Sequence, residues 1–78
     1  MTGFEKLNLA LMKLASKQLG GNKAAILALS KVVPNPNILG RDLTDADIIR
    51  AYITLLMPAY TEPAELLIEI LQQFAKIQ

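Results

Sequence analysis

Apolar side chains recur at three- and four-residue steps along nearly the whole chain, and glycine, proline and hydroxyl residues divide the pattern into four blocks. The first opens Thr2-Gly3-Phe4-Glu5. A threonine followed three residues later by glutamate is the capping-box arrangement, in which each side chain bonds the other residue's backbone N–H. Phe4, Leu7, Leu11 and Leu14 follow at helical spacing. Leu9, Met12 and Leu19 make a second apolar stripe beside them, and Lys6, Lys13 and Lys17 fall on another face. Gly20-Gly21 supplies the stop, because glycine accepts the left-handed conformation at a helix end. A first helix is expected over about residues 3–19.

Asn22 is a suitable N-cap for a second helix over about residues 23–33. Its only polar positions are Lys23, Ser30 and Lys31, and a helix apolar nearly all round is usually buried. The short Gly-Gly-Asn link makes the first two helices an antiparallel hairpin. Pro34-Asn35-Pro36-Asn37 ends the second helix, because residues before proline are pushed away from the α region. An irregular stretch then runs to about Leu43, with Ile38 and Leu39 expected to plug an end of the core.

Thr44 is the next N-cap, and Asp45 and Asp47 place negative charge at the positive end of the helix dipole. Leu43 before the cap and Ile48 after it fit a hydrophobic staple. This third helix, about residues 45–57, carries a narrow polar stripe of Asp47, Arg50 and Thr54 before Pro58 disrupts it. Thr61 is read as the last N-cap, with Pro63 in the first turn, where its missing N–H costs nothing. In this fourth helix, about residues 62–76, Glu62, Glu65, Glu69, Gln72 and Lys76 line one face. Leu67, Leu71 and Phe74 line the other, flanked by Leu66, Ile70 and Ile77.

No strand alternation, hairpin turn or internal repeat interrupts this reading. The expectation is a single all-α domain over residues 1–78, a compact four-helix bundle or an orthogonal pair of helical hairpins. Its expected core is Phe4, Leu7, Leu11, Leu14, Ile26, Leu29, Ile49, Tyr52, Ile53, Leu56, Leu67, Leu71 and Phe74, with the second and third helices the most buried.

Composition narrows the function. The chain has no His, Cys or Trp, while 53% of its 78 residues are hydrophobic. A thiol nucleophile, an imidazole base and the usual structural zinc ligands are therefore missing from the sequence. Asp42, Asp45 and Asp47 cannot form an EF-hand loop. Counting from Asp42, the sixth position is Asp47 where glycine is needed, and the twelfth is Ile53 where glutamate is needed. Helix capping is the reading for these acids. Glu62, Glu65 and Glu69 read as a solvated face, and Gly20-Gly21-Asn22-Lys23 lacks the spacing of a phosphate loop. An enzyme is not expected, nor any cofactor or metal.

The net charge of +1 hides a balance of +4 up to Lys31 and −3 from Val32 onward. The lysines permit an alternative, a small nucleic-acid-binding regulator using the N-terminal lysine face. No arginine before residue 41 is available to read guanine, however, and only four aromatics could stack on bases. A membrane partner is also disfavoured, since the longest apolar run, Ala24 to Leu29, is far shorter than the ~20 residues of a span. Lysines interrupt the N-terminal region where a secretory signal would be continuous, so a cytoplasmic location is expected.

A domain of this size buries only about 60% of its unfolded surface and needs unusually good packing or a partner. The leading expectation is thus a non-enzymatic protein–protein interaction or oligomerisation module, binding a second copy as a homodimer or another protein. The candidate interface is Leu9, Met12 and Leu19 on the first helix with Leu66, Ile70 and Ile77 on the flanks of the fourth.

Overall fold

Short-range capping chemistry fixes most of the helix ends. In a computed structural model that describes residues 1–77, α1 spans Gly3–Leu19, α2 Asn22–Val32, a single-turn α3 Pro36–Leu39, α4 Asp45–Leu56 and α5 Pro63–Lys76, with a 3₁₀ turn Met57–Ala59 extending α4. The protein is all-α, four long helices in one arrangement. At the start of α1, the Glu5 N–H donates to Thr2 Oγ1 at 3.1 Å and the Thr2 N–H donates to Glu5 Oε1 at 3.2 Å. Gly20, at φ 88°, ends the helix, and its N–H bonds the Ser16 carbonyl. Thr44 and Asp47 form a second capping box at α4.

Two caps differ from the sequence expectation by one residue. Asn22 is the first residue of α2, behind Gly21. Its Oδ1 accepts from the Ser16 hydroxyl and so braces the turn between α1 and α2. Glu62, not Thr61, precedes α5, and Pro63 at the first helical position leaves no N–H there to be capped. The 34–43 stretch is not wholly irregular: Asn35 caps α3 by accepting the Asn37 N–H at 2.9 Å, and Gly40 at φ 71° ends it.

Helix α1 is the hub. It packs against α2, α4 and α5, and α2 packs against α4. Tyr52, Leu11, Leu14 and Leu56 are the large side chains wholly removed from solvent, joined by Leu66 and Ile70 of α5. Ala10, Ala15 and Ala25 are fully buried beside them, and their small side chains let the backbones approach.

Several expected core positions lie elsewhere. Helix α2 buries only Ala25 completely, with Ala28, Leu29 and Val32 half-buried on the same face. Ile26 is 57% exposed and Leu27 60%. The expectation that the second helix is among the most buried is corrected: α2 lies at the outside, meets α1 and α4 through one face, and leaves its other apolar face bare. Ile38 and Leu39 do not plug the core, because the α3 turn carries both into solvent.

The larger correction concerns α5. Leu67 and Leu71, expected inside, are 56% and 57% exposed, while Leu66, Ile70 and Ile77 are buried. The apolar arc of α5 covers more than half its circumference at ~100° per residue, so hydrophobicity alone does not choose which edge turns inward. Polar contacts on either side of the buried edge make the choice. The Tyr60 hydroxyl donates to Glu69 and accepts from Gln18 Nε2 of α1 at 3.2 Å. On the other side, Lys6 Nζ sits 4.5 Å from the Phe74 ring centroid, a cation–π contact. Glu69 and Phe74 bracket Leu66, Ile70 and Ile77 on the helix surface, and α1 holds both.

Candidate functional site

With its inner edge fixed, α5 presents Ala64, Leu67, Ile68, Leu71 and Ala75 outward, and all five are exposed. Their spacings of three and four residues place them on one strip. Ile68, 54% exposed, sits between the two leucines. Glu65, Gln72 and Lys76 form the polar border of the strip on one side. Isolated exposed apolar residues are ordinary, whereas contiguous apolar strips are uncommon on monomeric proteins.

A second bare strip runs along α2. Lys23, Ile26, Leu27 and Ser30 share its outward face and line a shallow apolar concavity. A neighbouring groove continues past Leu29 and Val33 to Pro34, Pro36 and Leu43. The whole of α2 carries two lysines and no acid.

The six residues singled out from sequence separate in the structure. Leu66, Ile70 and Ile77 are removed as surface candidates: at 2%, 8% and 8% exposure they belong to the core. Leu9 is exposed, but on the strip of α1 that also carries Glu5, Lys13 and Lys17. Met12 is half-buried against the core, and Leu19 is exposed at the far end of the helix. The three keep their helical spacing on α1, but only Leu9 and Leu19 are exposed. The outward faces of α5 and α2 were missed, although the width of the α5 arc and the nearly unbroken apolar sequence of α2 were both visible.

The polar groups are arranged for structure. Asp47 is buried and receives Arg41 Nη1 at 2.6 Å and Nη2 at 3.1 Å, the Thr44 N–H at 2.8 Å and the Thr44 hydroxyl at 3.1 Å. Those bonds, the Arg41 guanidinium first and the Thr44 N–H next, hold the carboxyl well below the usual aspartate range and raise the Arg41 guanidinium in turn. Three of these donors fall on Oδ2 and one on Oδ1, so the carboxylate is committed to holding Arg41 and the start of α4. Burial raises the Tyr52 hydroxyl. Burial raises Tyr60 too, with the Glu69 bond adding to it and Gln18 opposing. Among the described residues no group of three acidic side chains is placed to hold a metal ion, and no helix is long and apolar enough to cross a membrane.

Searches against protein-family models, curated proteins and solved structures find no match to this chain.

Proposed function

We propose that this chain is a small non-enzymatic association module that uses exposed apolar helix faces, and that its first partner is a second copy of itself. The observation that carries the reading is surface left uncovered. A folded monomer of 8.5 kDa is expected to expose about 4,700 Å². This chain exposes 5248 Å², an excess of about 550 Å² over that scaling. Its radius of gyration of 12.6 Å likewise exceeds the ~11.5 Å typical of a compact domain of this length. Five large apolar side chains on α2 and α5 account for much of the uncovered surface, each more than half exposed. A domain with four fully buried large side chains gains stability from covering such faces.

Sedimentation equilibrium from about 1 µM to about 500 µM, a range that spans weak and moderate association, tests the reading. The weight-average mass is expected to rise above 8.5 kDa with concentration. A mass that stays at 8.5 kDa throughout would contradict it.

The nucleic-acid alternative has less behind it. Lys6 is engaged with the Phe74 ring, and Lys13 and Lys17 share their strip with Leu9 and Glu5. A basic face that tracks a phosphate backbone binds tightly at low salt and loses affinity steeply as salt rises. Salt-dependent binding to duplex or single strands would favour that alternative.

A further inference from the structure

We infer that the second copy docks along α5 in antiparallel orientation, the two outward strips facing each other across a two-fold axis between residues 69 and 70. This inference rests on the association reading above and specifies the face and the orientation.

The centre line of the strip is its own mirror, with Leu67 flanking it on one side. Along that line the steps from Ala64 are four residues to Ile68, three to Leu71 and four to Ala75. Read from the other end the sizes repeat as small, large, large, small. Reversing one helix against the other therefore sets Ile68 against Leu71 of the partner copy and Ala64 against Ala75. The alanines at both ends let the axes approach to about 8 Å, near the lower limit for packed helices. A two-fold interface must be self-complementary in this way.

Charge selects the same orientation. Glu65 lies near the start of α5 and Lys76 at its end, both exposed on the border of the strip. Antiparallel docking brings Glu65 of each copy within a turn of Lys76 of the other, and it opposes the two helix dipoles favourably. Parallel docking leaves each Glu65 about 16 Å along the axis from Lys76 of the other copy and forms no such pair. Self-pairing through α2 offers no charge attraction in either direction, because Lys23 and Lys31 are its only charged residues.

The chain has no cysteine, so single cysteines report orientation cleanly. Ala64→Cys chains labelled with nitrogen-15 are mixed in equal amounts with unlabelled Ala75→Cys chains in a glutathione redox buffer, and the disulfide species are sorted by mass. Both positions are exposed and neither contributes to the core. The expected product is the mixed disulfide. Same-residue disulfides in excess would overturn the antiparallel orientation.

Glu65→Lys and Lys76→Glu are each expected to raise the dimer dissociation constant about five-fold, through two like-charge contacts of the size typical at a surface. The double exchange is expected to restore it. A double variant weaker than either single one would overturn the pairing. Failure of the inference is distinguishable from failure of the reading. If Leu67→Glu leaves self-association intact while Leu27→Glu abolishes it, copies associate through α2 and the α5 inference is wrong. If the unmodified chain does not associate at all, the reading itself is wrong.

Discussion

Replacing Leu66 and Leu71 by alanine, one at a time, separates the two edges of α5. The residues have the same chemistry and lie five apart on one helix, yet Leu66 is 2% exposed and Leu71 57%. Truncating a buried leucine leaves a cavity and costs about 2–5 kcal/mol. A domain of this length has a total stability of about 4–12 kcal/mol, so Leu66→Ala is expected to remove a large part of it. Leu71→Ala, truncating a side chain already more than half in water, is expected to change the stability of the isolated monomer by about 0.5 kcal/mol or less. Its effect falls on association. Burying a whole leucine is worth about 1.5–3 kcal/mol, and the exposed half recurs in both copies, so the variant is expected to weaken the dimer by about 2 kcal/mol, roughly 30-fold. Urea unfolding followed by far-UV circular dichroism at low micromolar concentration measures the first effect. Sedimentation at high micromolar concentration measures the second. Equal losses of monomer stability in the two variants would refute the placement of α5, and so would a larger loss for Leu71→Ala.

Three further outcomes follow from the polar contacts. Asp47 has a lowered folded-state pKa, so its contribution to stability is fully present above the ordinary aspartate value of about 3.9 and is lost as pH falls below it. Asp47→Asn is therefore expected to reduce stability at pH 7 and to flatten the acid limb of a stability–pH curve, and an unchanged acid limb would count against the Arg41–Asp47 pairing. Tyr52 and Tyr60 keep their protons longer when folded, so stability is expected to decline as pH rises above about 10. Tyr60→Phe should remove part of that alkaline decline and loosen the α1–α5 contact, as read by faster hydrogen exchange in α5. Gly20→Ala places a Cβ at φ 88°, where nothing clashes sterically but the backbone is strained, and a loss of about 1 kcal/mol or more in thermal or urea unfolding is expected.

Local chemistry was the legible part of the sequence. The capping box at Thr2–Glu5 and the Thr44 N-cap involve residues three apart and need no tertiary information, and Gly20 ends α1 for a reason intrinsic to glycine. Helix boundaries followed within a residue or two, and with them the all-α class. The rotation of α5 was not legible. Its apolar arc is broad enough to bury either edge, and the contacts flanking the buried edge reach α1 from far along the chain, Glu69 through Tyr60 to Gln18 and Phe74 to Lys6. Helix α2 departs from its sequence pattern for a related reason: it is apolar nearly all round, but the fold supplies neighbours for only one of its faces. The Arg41–Asp47 pair spans the gap between Gly40 and α4, where an acid in the first turn was already explained by the helix dipole, so its cation went unnoticed. The candidate interface consequently named the inner edge of α5 in place of the outer one.

Concentration-dependent NMR of the unmodified chain tests the central claim most directly. Between about 20 µM and about 1 mM, a range bracketing moderate self-association, the amide signals of Leu67, Ile68 and Leu71 are expected to move together along one binding curve, while those of Lys13 and Lys17 on the solvent strip of α1 stay fixed. Signals from α5 that do not move across the whole range would contradict the account.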